Sequence, residues 1–454
     1  MLKDMRSFLS LLEATGDLVH ISERVAPRFG IAAGIRKTSD IKGPALWFDN
    51  VIGTAMPVVG GLYAARRRCL LGLEATEDTI RERFAAAVDR PIPPRIVKDG
   101  PCKEVVLTGA EASFDRLPSC IYSAEDAAPY ITLGLLIARH PTGRSNVGIY
   151  RMQVFDGHHL GVNAAKLDTY YAAAEARGEP FGIALTLGND PYSTLASQYR
   201  GRADLDELAV AGGVMGEPID LVQCETIDIA VPATSEIVFE GEILPGERWS
   251  EGPFGEAPGY YSPAGPRPVF RLKAITHRRD PIYLAGLTGM PSTENHVMKQ
   301  VVTEPLVYRF LKGICPTVRD VCATTASHSL HFVISMRPTS ATQAREVLLA
   351  ALTSEFQPKM VTIVDEDVDV RSPAQVEWAM TFRFQADRGV EILPHVAGYA
   401  MDPSIPRGAD GSRLGINATR PYDDDYGSVV SVPGADEFVI PGWTDVSAQP
   451  AVSR

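Results

Sequence analysis

The sequence predicts a mixed α/β fold in which a strand-rich centre lies between two regions of alternating helices and strands. Apolar residues recur at helical spacing between short strand-like runs near both ends of the chain. Strand-like segments with few helices fill the middle, and a stretch rich in proline and charge, 91–100, precedes them. A length of 454 residues favours two or three domains, which we place at 1–100, 101–295 and 296–454.

The first region reads as an α/β unit that opens on a helix. Phe8, Leu9 and Leu12 recur at helical spacing, and Gly16 ends the run. The other predicted elements are strands at 18–21, 45–48 and 58–59, a helix at 31–37, and a helix that carries Ile80, Phe84 and Val88, is capped by Thr76 and ends before Pro91.

The centre contains mostly extended segments. The predicted strands are 105–107, 131–138, 147–155, 183–187, 226–231 and 269–275, and the predicted helices are 167–177, ended by Gly178, and 205–211, ended by Gly212 and Gly213. Many strands with few helices indicate a barrel or a sandwich.

The last third again alternates, as an α/β unit does. The predicted helices are 297–312, 341–352 and 373–380, and the predicted strands are 318–322, 331–334 and 360–364. From Thr419 onward the chain is rich in Asp, Pro and Gly, which is typical of an arm that packs on a neighbour or of a partly disordered tail.

Composition excludes several classes of protein. A net charge of −12 argues against a nucleic-acid partner, which usually requires a basic face. The sequence has no apolar run of roughly 18 residues for a membrane span, and its first residues lack the apolar core of a signal peptide. Six cysteines without a C-x-x-C pair argue against a thiolate metal knuckle or a dithiol redox centre and fit a reducing cytoplasm.

The most informative motif is the segment 251–256, which reads EGPFGE. Glu251 and Glu256 are separated by two glycines and a proline, which predicts a sharp turn that brings backbone close to a ligand. Two carboxylates in different environments can divide the roles of acid and base. The alternative is a solvated acidic surface turn.

A second motif is the predicted strand around Asn146 and Arg151. In a continuous strand, Val147, Ile149 and Arg151 point to the same face, so the arginine stands on an apolar side. A buried guanidinium requires a carboxylate or phosphate partner. The alternative is an arginine at a strand end that reaches solvent.

Glu207 lies on a short predicted helix before a glycine pair and is a candidate metal ligand, although a lone helical glutamate is commonly just solvated. No histidine pair has chelating spacing, and the sequence lacks a P-loop, a strand-linked G-x-G-x-x-G and a nucleophile elbow.

Taken together and in this order, 146–151, Glu207 and 251–256 resemble the UbiD family, which uses prenylated flavin mononucleotide (FMN) to decarboxylate unsaturated or aromatic acids. The resemblance extends from 5–21 to 412–420 and covers nearly the whole chain. It implies a central split β-barrel, flavin-reductase-like, flanked by N-terminal and C-terminal α/β regions. It also implies a homodimer or homohexamer, and a flavin prenyltransferase as the supplier of the cofactor.

The resemblance also implies catalytic roles. Glu256 matches the proton donor to the substrate carbon after CO2 leaves, and Arg151 matches the residue that holds the substrate carboxylate and pairs with Glu251. Because an arginine favours the charged form of a neighbouring carboxyl, we expect Glu251 to stay ionised and Glu256 to carry the proton.

Further residues match positions around the cofactor. By resemblance, Asn146 and Glu207 are ligands of a divalent cation, manganese or magnesium, that binds the flavin phosphate; oxygen ligands suit such a cation. Ile149, Tyr150 and Arg151 match backbone that lies along the flavin.

The resemblance places a potassium site at Ala196, Ser197 and Glu207. Arg413 matches a basic residue that reaches the cofactor phosphate.

One position departs from the family pattern. Where the family carries a third metal ligand, a histidine, this chain has Lys166. A protonated lysine cannot bind a metal ion, but its ammonium can contact the phosphate directly. The alternative is that the loop is shorter here and the matching position lies elsewhere.

Val301 falls at a substrate-pocket position that is often histidine in members acting on hydroxylated aromatic acids. Valine there favours an unsaturated or heteroaromatic acid, unless Val301 is simply a core residue of its helix. Two other functions remain open: a non-catalytic flavin-binding member of the fold, and a flavin-dependent reductase. The sequence predicts neither the individual acid nor the physiological direction.

Overall fold

The computed structural model describes residues 2–139, 143, 145–164, 167–201, 205–406, 408–423, 426–434 and 438. Lys166 is the one expected site residue that lies outside these ranges.

The N-terminal region follows the predicted alternation. Its elements are α1 Met5–Ala14, β1 Leu18–Val25, α2 Gly30–Asp40, β2 Ala45–Val51, β3 Val58–Gly60, α3 Arg66–Gly72 and α4 Ile80–Asp89. Helix α3 was not predicted, and the N-cap of α4 is Thr79, not Thr76. The Thr76 hydroxyl accepts the Thr79 N–H at 3.3 Å, so it stabilises the turn that leads into the helix.

The central region is strand-rich, as predicted. Its elements are β4 Arg95–Ile96, β5 Val105–Thr108, β6 Tyr130–Ile131, β7 Leu135–Arg139, β8 Ser145–Ile149, β9 Arg151–Val154, β10 His159–Asn163, α5 Asp168–Glu175, β11 Phe181–Leu187, α6 Pro191–Ala196, α7 Glu207–Met215, β12 Asp220–Gln223, β13 Ala230–Pro232, β14 Ile237–Glu251, β15 Phe254–Gly255, β16 Tyr261–Ser262, β17 Gly265–His277 and β18 Tyr283–Ala285.

Nine of these strands form one sheet in the order β6-β9-β10-β17-β14-β11-β7-β8, with β5 added to β17. Strand β18 instead joins β1, β2 and β3 in a four-stranded sheet, which ties the centre to the N-terminal region. Among the described strands this order is an open path, so the mixed α/β fold is confirmed while the split barrel stays a prediction.

The predicted strand 147–155 is broken at Tyr150. Strand β8 pairs with β7, whereas β9 pairs with β10 and β6. The alternation of faces therefore does not continue through Tyr150, and the partners of Arg151 depend on which strands neighbour β9. The predicted strand 131–138 likewise divides into β6 and β7.

Two other expectations about the centre were wrong. Only the end of the predicted strand 226–231 is extended, as β13. Helix α7 does not end at the glycine pair but continues to Met215, where Gly216 adopts a left-handed φ of 86°. Gly213 is needed inside the helix because a Cβ there would lie 2.8 Å from Cα of Ala87 in α4.

The C-terminal region is a helix-flanked sheet, as predicted. Its elements are α8 Glu294–Ile314, β19 Val318–Ala323, β20 His331–Met336, α9 Gln343–Thr353, β21 Met360–Asp365, α10 Pro373–Phe382, β22 Val390–Val396 and β23 Gly411–Ala418. The strand order is β19-β20-β21-β23-β22, in which β22 and β23 were not predicted. All six cysteines are buried and free, and none of the described helices is long and apolar enough to cross a bilayer.

Candidate active site

Three expected residues meet at the end of the long strand β14. Arg151 begins β9, Glu251 is the last residue of β14, and Glu256 follows β15. Arg151 Nε donates to Glu251 Oε1 at 2.9 Å, and Nη2 donates to Oε2 at 3.1 Å. The remaining nitrogen, Nη1, contacts Glu256 Oε1. One guanidinium therefore bridges both carboxylates.

Glu251 is the more enclosed carboxylate, with its side chain 1% exposed. Besides the two bonds from Arg151, it accepts one from Asn163 Nδ2 at 3.2 Å. Asn163 lies opposite Arg151 in the β9–β10 pairing. Because of this register, Arg151 Nη2 and Asn163 Nδ2 donate to the same oxygen, Glu251 Oε2. Sequence reasoning missed Asn163, because only the register reveals this contact. A buried carboxylate is stable when it is paired and hydrogen-bonded in this way.

The turn after Glu251 is held by a neighbouring strand. Gly252 has φ 91°, a left-handed conformation that favours glycine, and its N–H donates to Gln153 Oε1 at 2.7 Å. The hydroxyl of Tyr130 donates to the same oxygen at 3.0 Å. The Phe254 ring lies beneath the guanidinium, with its centroid 5.2 Å from Arg151 Cζ. These contacts fix the path of the chain between the two carboxylates.

Asn146 and Glu207 form a second polar pair. Glu207 is the first residue of α7, and its Oε1 accepts from Asn146 Nδ2 at 3.3 Å while its Oε2 accepts from the Val147 N–H at 3.2 Å. Both side chains are buried, and Asn146 Oδ1 has no hydrogen-bond partner among the described residues. A free amide oxygen beside a buried carboxylate is a suitable donor set for a hard divalent cation.

The described residues contain no cluster of three or more His, Cys, Asp and Glu side chains that could hold a metal ion. Two protein oxygens fit a cation that takes its remaining ligands from a phosphate group and water, as magnesium does. The residues present therefore fit a phosphate-bound cation.

Other expected residues flank these two pairs. Tyr150 separates β8 from β9, and its ring occupies the space that a Cβ on Gly148 would fill, at 2.7 Å. Ala196 ends α6, and the hydroxyl of Ser197 donates to the carbonyl of Thr194 at 2.6 Å. Ile149 is half-buried at the end of β8.

Val301 and Arg413 lie in different surroundings. Val301 is fully buried on α8 within the largest hydrophobic core. Arg413 lies on β23, and its guanidinium donates to the carbonyls of Leu352 and Ala397. The contacts described for these two residues do not include Arg151 or Asn146.

A cavity of about 200 Å³ begins directly after Glu256. Its walls include Ala257, His328 and Tyr399. His296 near the start of α8 holds this loop, because its Nε2 donates to the carbonyl of Ala257 at 2.9 Å while Nδ1 accepts the Thr293 N–H at 3.2 Å. Burial lowers the pKa of His296 to about 4, so the ring is neutral.

The sequence matches three family profiles over most of its length. Residues 9–88, 95–291 and 296–418 match the N-terminal domain, the Rift-related domain and the C-terminal domain of the 3-octaprenyl-4-hydroxybenzoate carboxy-lyase family, UbiD. An uncharacterized protein in the cooM 5′ region of Rhodospirillum rubrum is 34% identical over 433 residues, which is 92% of each chain.

Solved structures agree with this assignment. The UbiD-class enzyme HmfF from Pelotomaculum thermopropionicum, in complex with FMN, is 38% identical with a TM-score of 0.90, covering 96% of this chain and 99% of that one. The vanillic acid decarboxylase of Sedimentibacter hydroxybenzoicus is 30% identical with a TM-score of 0.87, covering 96% and 97%. The chain belongs to the UbiD family of carboxy-lyases.

Proposed function

We propose that this protein catalyses the non-oxidative decarboxylation of an α,β-unsaturated, aromatic or heteroaromatic carboxylic acid with prenylated FMN, in a reaction that reverses at high CO2. The observation that carries the proposal is the single guanidinium of Arg151 shared by Glu251 and Glu256. The solved complexes of HmfF with FMN and with prenylated FMN support the choice of cofactor.

Arg151 is arranged to bind one further carboxylate. Two of its nitrogens are held by Glu251, so the guanidinium cannot turn, and only the Nη1 contact with Glu256 can be exchanged. A substrate carboxylate that binds Nη1 displaces Glu256 from the guanidinium of Arg151. Glu256 then lacks a positive neighbour and lies near a second carboxylate, and both changes favour its protonated form.

Glu256 then becomes the proton donor. The C–C bond to the carboxylate breaks, CO2 leaves, and the proton on Glu256 forms the new C–H bond at the same carbon. Solvent returns a proton to Glu256, so substrate anion and one proton give CO2 and the product. Prenylated FMN, when bound, supplies the electron sink for the pair left by the breaking bond.

Other parts of the proposal concern the cofactor phosphate. Asn146 and Glu207 would hold the divalent cation, manganese or magnesium, with the phosphate as a further ligand. Ala196, Ser197 and Glu207 would border a potassium ion. Arg413 and Lys166 remain candidates for direct contact with the phosphate.

The proposal also covers the oligomeric state and the enzyme that supplies the cofactor. A homodimer or homohexamer and a flavin prenyltransferase remain expected partners, and a dimeric form of HmfF is among the similar solved structures.

The cofactor requirement provides the test. The protein is expressed with and without a flavin prenyltransferase, its absorption spectrum is recorded, and CO2 release is measured from cinnamic, pyrrole, furan, indole and benzoic acids. We expect turnover only after co-expression. Equal activity without the prenyltransferase would overturn the proposal and favour the flavin-dependent reductase or another chemistry.

A further inference from the structure

A serine hydroxyl lies beside the guanidinium that the proposed reaction uses. Arg151 Nη2 donates to Ser262 Oγ at 3.0 Å, in addition to its bond to Glu251 Oε2 at 3.1 Å. A terminal guanidinium nitrogen carries two N–H groups, so each bond takes one of them. The Ser262 hydroxyl in turn donates to the carbonyl of Phe254 at 3.3 Å. The hydroxyl therefore accepts from Arg151 and donates to Phe254 at the same time.

Ser262 belongs to the same small hairpin as the expected proton donor. This donor hairpin, 254–262, consists of β15, β16 and the turn between them, and Phe254 lies opposite Ser262 in the pairing. Glu256 follows β15 and leads into the turn. The hydroxyl of Ser262 therefore connects Arg151 to the hairpin that carries Glu256.

Two further anchors join the donor hairpin to another segment of the chain. Asp126 Oδ1 accepts the N–H of Gly255 at 3.0 Å, and the hydroxyl of Tyr261 accepts the N–H of Glu125 at 3.2 Å. These bonds hold the hairpin in the fold through the segment that precedes β6. Neither of them involves the guanidinium, so they do not by themselves set its distance from the proton donor.

Ser262 and Glu256 provide the hydrogen bond and the ion pair that join the hairpin to the guanidinium among the described residues. A substrate carboxylate that binds Nη1 of Arg151 displaces Glu256 and removes one of these two links. Glu256 must nevertheless stay within about 3 Å of the carbon that receives its proton. The bond to Ser262 uses Nη2, so it is kept when the contact at Nη1 is exchanged.

A neutral hydroxyl suits this position better than another carboxylate would. Glu251 already pairs with the guanidinium of Arg151 through two hydrogen bonds. A further anion on Nη2 would weaken the attraction of Arg151 for a substrate carboxylate, whereas a neutral acceptor leaves the positive charge available. The short side chain of serine also loses little conformational entropy when it is held in one position.

We propose that Ser262 is a positioning residue, which holds the donor hairpin against the guanidinium of Arg151 so that Glu256 stays in reach of the reacting carbon after substrate has displaced it. This inference rests on the proposed function, which makes Glu256 the proton donor. It assigns the serine to proton transfer and not to substrate binding, because Glu251 orients the guanidinium without it.

Ser262→Ala separates these two steps in the flavin-loaded protein, assayed with the acid of the panel that the wild type decarboxylates fastest. We expect kcat to fall about tenfold, the effect of losing one hydrogen bond to a charged group, while KM stays within about twofold. The solvent deuterium isotope effect on kcat should increase, because proton donation becomes the slower step. Ser262→Thr keeps the hydroxyl and should restore both kcat and the isotope effect.

Ser250→Ala is the matched control, because Ser250 is exposed on β14 and points to the face opposite Glu251. Its kcat and KM should equal those of the wild type. An unchanged kcat in Ser262→Ala overturns the inference. A lower kcat with an unchanged isotope effect also overturns it, because a smaller folded fraction explains that result, and so does a Ser262→Thr protein that recovers no activity. Ser262→Cys, whose sulfur is a weak acceptor, takes the place of Ser262→Ala if the alanine variant does not fold.

Hydrogen exchange of the flavin-loaded protein tests the positioning when no acid in the panel releases CO2. The donor hairpin should exchange at least about fivefold faster in Ser262→Ala than in the wild type, while strand β21 keeps its rate. That result supports the link between the hairpin and Arg151 even though the proposed reaction has failed. Equal exchange of the hairpin in both proteins rejects the positioning role.

Discussion

Two buried polar groups, Arg151 with its carboxylates and Lys299 on α8, differ in how their polar atoms are satisfied. At Arg151, each guanidinium nitrogen faces an oxygen, and the buried carboxylate of Glu251 accepts three hydrogen bonds. At Lys299, the described residues offer the amine no hydrogen-bond partner.

The difference predicts opposite effects of substitution at the two places. In the first cluster every guanidinium nitrogen of Arg151 already faces an oxygen, and its bidentate pairing with Glu251 fixes the orientation of the guanidinium. The second keeps a buried amine unpaired, which lowers the stability of the fold. Removing the guanidinium of Arg151 should therefore lower stability, and removing the amine of Lys299 should raise it.

Arg151→Met should give the largest effect. It leaves the buried Glu251 without its cation, which should lower the free energy of unfolding by about 3–5 kcal/mol. Loss of the carboxylate clamp should lower kcat/KM at least about a hundredfold. Chemical denaturation and CO2 release measure the two effects. Arg177→Met, at an exposed pair with Glu179, is the control, and a loss in Arg151→Met no larger than the control would contradict the comparison.

His296→Gln tests the support of the loop after Glu256. The unfolded ring titrates near 6.5 and the folded ring near 4, so the unfolded chain binds more protons between these values. The contribution of neutral His296 is complete above pH 6.5 and is lost as the pH falls towards 4. The stability difference between wild type and variant should therefore decrease by about 3 kcal/mol over this range.

Denaturation at several pH values from 7 to 4 measures this difference. The nearby Glu294, whose pKa burial raises to about 7, titrates in both proteins and cancels. Glutamine is the matched replacement because it is a common partner for the Thr293 cap at this position. Parallel pH profiles for the two proteins would reject the role of His296.

Glu207→Ala should reduce the bound divalent metal, because it removes a carboxylate ligand and leaves Asn146 alone. We expect at least about a tenfold loss of metal affinity, measured as metal content of dialysed holo-protein. Glu217→Ala, at an exposed pair with Lys3, is the control. Unchanged metal in Glu207→Ala would reject this site. A stoichiometric divalent ion in the wild type would in turn reject Lys166 as a replacement for a metal ligand.

Lys299→Met should raise stability in the absence of substrate by about 1–2 kcal/mol, because it replaces an unpaired buried amine with an apolar chain of similar length. Thermal unfolding without ligand measures the gain. Lys273→Met should change stability by no more than about 0.5 kcal/mol. A less stable Lys299→Met would show that the amine has a partner and would remove the contrast between the clusters.

The sequence predicted the alternating ends, the strand-rich centre and the identity of the charged residues, but not how strands bring them together. Glu251 was expected on a turned loop, yet it ends a strand of 15 residues. That strand contains Gly241, Pro245 and Gly246, which are typical of turns, and its register with β17 shifts at two places. The local sequence pattern therefore does not predict strand β14, which is recognised only from its pairing with β17.

Contacts between residues on neighbouring strands are likewise not predictable from the local sequence pattern. The break at Tyr150 follows from a change of neighbouring strand, and Asn163 reaches Glu251 only through register. The helix that carries Lys299 was predicted, but the lack of a partner for its amine depends on tertiary packing.

The most direct test of the account is CO2 release by Glu256→Gln loaded with prenylated FMN, beside the wild type. We predict a flavin spectrum equal to that of the wild type and a rate at least about a hundredfold lower, because the proton donor is gone while Arg151 and Glu251 remain. A variant that keeps its flavin and releases CO2 at the wild-type rate would contradict the assignment of Glu256 as the proton donor.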